Sequence, residues 1–403
     1  MNVRATALTN PLDPIKAVTH SNPYPYYAEL VARKPLCRDA RLGLWVASSA
    51  EAVMAVLTSE LCRVRPPAEP VPSALLGSSA ADIFRLLIRM NDGSGHSPFR
   101  QAVSATLNSI EVAQVSAQSS KWASVLADDL RPQADPLRLP DFAFRLPVYV
   151  VASLLGVPPD QLQEVALWTG DFVRCFAPAS RPEQIGRGKV AAGQLLNNFR
   201  SLLTTQQHAQ DDGLLAALAR EAKLVGGEDT NVIIANGIGF LSQAYEATAG
   251  LIGNTLVALA SNREVREPAM ANPSLLRQVI PEVLRWDPPV QNTRRFLARN
   301  GIVAEQEMKE GDAILVVLAA ANRDPSANPN PDRFDMFRKD RRVFTFGAGG
   351  HACPGEALAT TIARAGIEQL LARGFDPGQL PEPAAYRASA NTRIPLWAKE
   401  ADE

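Results

Sequence analysis

The sequence is poor in the residues that most often advertise chemistry. Its 403 residues hold four cysteines, Cys37, Cys62, Cys175 and Cys353, far apart and never as C-x-x-C. That spacing excludes a zinc ribbon, a thioredoxin-type dithiol and a ferredoxin-type cluster, and it argues against a disulfide scaffold. A reducing compartment, the cytoplasm, is the expectation. The four histidines, His20, His96, His208 and His351, never form H-E-x-x-H, so the commonest zinc hydrolase signature is missing. G-x-x-x-x-G-K-[ST] and G-x-S-x-G are absent too. Charge of one sign is lacking: 41 basic against 42 acidic residues leave −1. No global field for a nucleic-acid partner results. Long apolar runs are lacking as well. The longest clean one, residues 313–321, spans nine residues, against about 20 for a bilayer-spanning helix. The first residues carry no apolar signal core. No membrane partner is expected.

What is present reads as globular. Apolar residues make up 46% and charged residues 21%, near the ordinary balance. The 31 prolines predict many punctuated loops, notably 66–72, 178–188 and 322–342. Helical periodicity dominates. Ser48 and Glu51 stand at capping-box spacing before an amphipathic stretch to Leu57. Asp160 and Gln163 do the same before a stretch toward Phe172, and 214–222 is a third. A long helix over about 229–260, capped by Asp229 or Thr230, is apolar nearly all round and should lie buried at the centre. Strand signals are few: 44–47, 302–304 and 313–318. With no repeat and no linker-like break, one domain over 1–403 is expected, mainly α with a minor β region.

The most informative segment is Phe346-Gly-Ala-Gly349-Gly-His351-Ala-Cys353-Pro-Gly355. A glycine-rich loop leads to a cysteine, and a helix follows. Pro354 suits the first helical position, which puts Cys353 at the N-cap. There the free N–H groups and the positive dipole end would lower its thiol pKa and favour a thiolate ligand. The helix should run to Arg373, with Gly374 closing it. An inert buried cysteine is the blander reading. Gly347 to Ala352 also fits G-x-G-x-x-A, a dinucleotide-binding turn. Too few residues follow it to build the further strand–helix units that such a fold needs.

The pattern F-x-x-G-x-x-x-C-x-G resembles the haem-binding loop of the cytochrome P450 superfamily, matched here by Phe346, Gly349, Cys353 and Gly355. The resemblance implies a single large helical fold around a buried b-type haem, with Cys353 as the axial iron ligand. Four more segments match in the family's order. Glu282-Val-Leu-Arg285 fits E-x-x-R, and Pro331-Asp-Arg333-Phe resembles the segment that supplies a third member, Arg333. The implied role is structural: a carboxylate between guanidiniums beneath the thiolate loop. His96-Ser-Pro-Phe-Arg100, after Asp92, fits H-x-x-x-R, and 289–295 resembles the segment with a further arginine, Arg295 in preference to Arg294. His96, Arg100, Arg295 and His351 are the implied propionate contacts. Pro281, just before Glu282, departs from the pattern because it removes a helix hydrogen bond. The helix should start or kink there.

The central helix departs further. The family usually carries A-G-x-[DE]-T, an acid and an alcohol that steer protons toward dioxygen. Here the segment is Gln243-Ala244-Tyr-Glu246-Ala247-Thr248. In one register Glu246 is the acid, Ala247 replaces the alcohol, and Gln243 and Ala244 replace Ala-Gly. In the other, Thr248 is the alcohol and Ala247 replaces the acid. The first is preferred, and it leaves proton delivery to Glu246, Gln243, water or a substrate hydroxyl. The implied activity is oxidation of a small, largely apolar molecule with O₂ and two electrons, possible settings including specialised metabolism. No flavodoxin-like or iron–sulfur segment is present, so a separate ferredoxin and ferredoxin reductase are the implied partners. The basic run 338–342 is a candidate docking patch. The pocket should draw on 66–87, 172–185, the 240–244 face with Phe240, and Val290. Ala247 keeps two alternatives open: atypical chemistry (oxidative coupling, peroxide- or nitric-oxide-linked) and a haem protein without turnover.

Overall fold

The computed structural model describes residues 11, 13–93, 96–177, 180–209 and 213–398. Residues 1–10, read above for a leader, and residues 178–179 of the expected pocket segment lie outside these. The central helix, Thr230–Ser261, organises the chain. Asp229 caps it, its side chain accepting from the Asn231 N–H at 2.9 Å. Helices Leu139–Leu155, Leu162–Arg174, Pro182–Ala209 and Glu356–Ala372 pack around it, burying one continuous apolar core. That explains why its sequence is apolar on every side. Gly250 marks the closest approach. A Cβ there would lie 2.8 Å from Pro289 Cβ and 2.9 Å from the Arg393 carbonyl, so only glycine admits the C-terminal segment.

A five-stranded sheet lies to one side, in the order 36–39, 44–47, 313–316, 293–297, 62–63. Strands Leu44–Ala47 and Ala313–Val316 pair in parallel with Trp45 opposite Ile314, and the other pairs are antiparallel. A buried polar hub ties distant segments together. Arg393 donates from Nε to Asp287 Oδ1 at 3.0 Å and from its other nitrogens to the Val18, His20 and Ser21 carbonyls. The Tyr24 hydroxyl donates to the same Asp287. Such a guanidinium is tolerable in the interior because each of its three nitrogens has an acceptor.

Several local expectations shift. The first helix-capping serine is Ser49, not Ser48; it accepts from Ala52 N, while Ser48 donates to the Lys34 and Pro35 carbonyls. Asp160 caps nothing: it sits in a 3-10 turn, Pro159–Gln161, ahead of helix Leu162–Arg174. The stretch 182–188 is helix rather than loop. Pro182 stands in its first turn, and Gly188 is there for clearance, since a Cβ would lie 2.4 Å from Cys175 Cβ. The third strand stops at Val316 and turns into a short helix, Leu318–Asn322. Helix Leu276–Trp286 runs through Pro281 rather than starting at it.

Candidate active site

Around Cys353 the loop is closed by its own backbone. Cys353 N donates to the Phe346 carbonyl at 2.7 Å, and Gly347 N to Phe344 O at 2.8 Å. Gly347 and Gly349 hold φ of +70° and +67°, conformations that favour glycine. Cys353 is not the N-cap. The helix begins at Glu356, with Gly355 in the capping place, and Pro354–Gly355 is a turn. One N–H therefore serves the sulfur, that of Gly355, 3.3 Å from Sγ. Burial pushes the thiol pKa up, opposed by that N–H and by the Arg100 charge. The depression expected of an N-cap does not arise, because the sulfur sits in a hollow two residues short of the dipole end. Arg100 instead donates to the Ala352 carbonyl beside the cysteine.

The cations meet at a cleft of about 640 Å³ whose walls include Asp92, His96, Arg295 and His351. The His96 and His351 rings stand 4.4 Å apart. His351 Nε2 lies 3.0 Å from Asp92 Oδ1, and Asp92 also accepts from Val64 N. Arg295 is buried and turned inward, while Arg294 is exposed. Desolvation lowers the pKa of both His96 and Arg295. His96 Nε2 is buried without a hydrogen-bond partner among the described residues. Orphan donors of this kind call for an acceptor.

Beneath the loop, Glu282 and Arg285 are fully buried, with Arg285 Nη2 and Glu282 Oε1 2.6 Å apart. The further members are not Arg333. Arg341 Nε donates to Glu282 Oε2 at 2.8 Å, Arg338 Nε approaches Oε1 at 3.4 Å, and Asp335 N adds a third donor. Arg333 lends its carbonyl, which accepts from Arg285 and Arg338, and its side chain is exposed. The chain folds back after Pro331, so arginines five and eight positions beyond Arg333 reach the carboxylate. Two of the cations in the expected docking run are thereby spent inward; Lys339 and Arg342 face out.

On the central helix, Asn236, Gly239, Phe240, Gln243, Ala244 and Ala247 fall on one arc at 100° per residue. Gln243 is exposed and Ala244 and Ala247 partly so, although the helix is central. This face therefore lines an internal hollow. Gln243 folds back, donating to the Gly239 carbonyl at 2.8 Å. Thr248 is fully buried off this arc, and its hydroxyl has no partner among the described residues. Glu246 stands at the edge of this arc and is anchored there: Thr392 Oγ1 donates to Oε2 at 3.1 Å, and Arg387 Nε stands 4.0 Å from Oε1. Thr392 in turn pairs with Val290 through an isolated β-bridge. Phe240 is buried in the main core, and Val290 packs on the sheet-side core. Thr392 and Arg387 went unnoticed in the sequence, since nothing local marks residues 146 and 141 positions downstream of the acid.

The donor set suits a haem. A flat dianionic group needs hydrogen-bond donors and positive charge at one edge and a soft ligand at its centre, and the cleft supplies buried His96 and Arg295 beside His351, two residues before an accessible Cys353. Comparison with known proteins agrees. The cytochrome P450 family model matches residues 197–375. Cytochrome P450 107B1 of Saccharopolyspora erythraea is 30% identical over 283 residues, 70% of this chain and 68% of the relative. The biotin biosynthesis cytochrome P450 of Bacillus subtilis is 26% identical over 358 residues, 87% and 89%. The structure of P450BioI in complex with a hexadec-9Z-enoic acid ligated acyl carrier protein superposes with a TM-score of 0.80 at 25% identity, over 93% of this chain and 96% of that one. A lone cysteine in a glycine turn, read first as one possibility among three, thus belongs to a monooxygenase that binds b-type haem, and the chain is a member of the cytochrome P450 family.

Proposed function

We propose that this P450 oxidises a small, largely apolar organic molecule with O₂, as a single domain in the cytoplasm, drawing two electrons from a separate ferredoxin and ferredoxin reductase. Specialised metabolism is the proposed setting. The carrying observation is the Cys353 sulfur, met by the Gly355 N–H at 3.3 Å in a glycine loop whose His351 ring stands against the buried His96, with its unpartnered Nε2. Thiolate-ligated haem supplies the activation of O₂. In this reading Cys353 ligates the iron. His96, Arg100, Arg295 and His351 engage the propionates, and Phe346, Gly349, Gly355 and Ala244 shape the surfaces against the ring. Glu282 and Arg285, with Arg338 and Arg341, hold the loop from beneath. Phe240 and Val290 border the substrate, and Lys339 and Arg342 remain for an acidic redox partner. No helix among the described residues is long and apolar enough to cross a membrane.

Proton delivery is the atypical part. Ala247 shares the open arc with Gln243 and Ala244, while Thr248 is buried. This favours the register in which Ala247 stands at the alcohol position. The proton then passes by Glu246 and Gln243, through water, and reaction types other than simple hydroxylation become accessible. Product formed per NADPH consumed, with a surrogate ferredoxin system, tests the reading. Substrate-dependent turnover supports it, and haem binding without turnover of any compound that shifts the spin state counts against it.

A further inference from the structure

The open arc of the central helix carries two amides, and they are used differently. Asn236 is spent on protein: it accepts from Ile88 N at 2.9 Å and donates to the Leu86 and Val232 carbonyls at 3.0 and 2.8 Å. Gln243 is only half spent. Its Nε2 donates to the Gly239 carbonyl at 2.8 Å. A carbonyl only accepts, so this bond fixes which end of the amide is nitrogen and which is oxygen. Oε1 is left as a fixed acceptor, with no hydrogen bond to it among the described residues. The packing places this amide inside the molecule, because the helix is covered on both sides of it. At Gly239 a Cβ would lie 2.8 Å from Leu87 Cδ2 and 3.2 Å from Gln243 Nε2, so the amide and a buried leucine meet over the same glycine. At Gly250 a Cβ would lie 2.8 Å from Pro289 Cβ and 2.9 Å from the Arg393 carbonyl. The two glycines point within about 20° of each other and stand about 16 Å apart along the axis. Between them on this side lie Gln243, Glu246 and Ala247, none of them buried, with Glu246 held by Thr392. Uncovered positions between two covered glycines of a central helix line an internal hollow, and Gln243 presents its amide to it.

We infer that Gln243 Oε1 accepts a hydrogen bond from the substrate, so that the oxidised molecule carries an O–H or N–H donor on an otherwise apolar body. A wholly apolar molecule filling the hollow would strip water from Oε1 and return nothing, whereas a donor replaces that water. A site built this way discriminates against the analogue that lacks the donor. The inference rests on the haem-thiolate reading above and names the substrate class of that site. Ala244, next to Gln243, is set against the ring in that reading, which puts the donor at the haem end of the substrate.

The test uses probes that anchor themselves: phenylimidazoles with a hydroxyl or an amino group at the ortho, meta or para ring position, each paired with a fluoro counterpart of similar size that lacks the donor. The imidazole ligates the iron and shifts the Soret band whatever the substituent does. In the native holoenzyme the best-placed hydroxyl or amino probe should bind about three- to tenfold tighter than its fluoro counterpart. Which of the two prevails tells O–H from N–H. Gln243→Met, close in length but without the carbonyl, should abolish the preference, and so should Gln243→Leu. Each preference is a ratio measured within one protein, so a general loss of affinity in a variant does not imitate the result. The inference is overturned if no hydroxyl or amino probe outbinds its fluoro counterpart in the native protein, or if the preference survives in either variant. In each of these the imidazole shift itself persists. Its absence from the native protein would instead remove the haem-thiolate reading.

Discussion

Thr392 is the most informative place to perturb the proton route. Its hydroxyl donates to Glu246 across 146 residues of sequence at 3.1 Å. Thr392→Val keeps the shape and the β-bridge to Val290 while removing the donor. A hydrogen bond to a charged acceptor is worth about 1.5–3 kcal/mol. The Glu246 side chain is 23% exposed, so screening brings the value to roughly 1 kcal/mol, about fivefold. Glu246 retains Arg387 at 4.0 Å and is loosened rather than freed. Product per NADPH should then fall by about fivefold in Thr392→Val and recover in Thr392→Ser. Glu246→Gln, which removes the acid itself, should fall further, toward the 10²–10⁴-fold of a lost general acid. The substrate-induced spin shift should persist in all three, because these groups act on proton delivery rather than binding. If Glu246→Gln couples electrons to product as well as the parent, the route does not run through Glu246 and the argument fails.

Other outcomes follow from the same geometry. Thr248→Ala should leave coupling near the parent while Ala247→Thr changes it; the reverse pattern in an NADPH-coupling assay assigns the alcohol to Thr248. Arg295→Ala should lower haem occupancy, read as Soret absorbance per protein, and Arg294→Ala should not, since only Arg295 is turned inward. Glu282→Ala should destabilise the fold by about 3–5 kcal/mol because it strands buried Arg285, and Arg333→Ala should stay within about 0.5 kcal/mol in urea melts. Burial pushes the Glu282 carboxyl up, but Arg285, Arg341 and the Asp335 N–H outweigh it, and its pKa is depressed. The stability it contributes is therefore full above the unfolded value of about 4.3 and drains as pH falls through the lower folded value. Glu282→Gln should show a shallower loss of urea midpoint over that window.

Local signals were legible where one segment carries the whole pattern. The thiolate loop, the central helix with its Asp229 cap and the His96 turn need only short-range spacing, and each stands near its expected place. Register within a turn was less legible: Pro354 looks like a first helical residue, yet the helix waits until Glu356, because tertiary packing sets the start. Long-range partners were not legible at all. Arg338 and Arg341 read as a solvated basic run until the fold-back at Pro331 turns them onto Glu282. Thr392 reaches Glu246 because Gly250 lets the C-terminal segment lie against the central helix, which no residue near Glu246 announces.

The central claim is that Cys353 ligates haem iron as a thiolate, and the reduced carbon-monoxide difference spectrum tests it directly. The native protein should show the red-shifted Soret band of thiolate ligation, and Cys353→Ser should lose it while the haem remains detectable. A Cys353→Ser protein that keeps the red-shifted band would contradict the account.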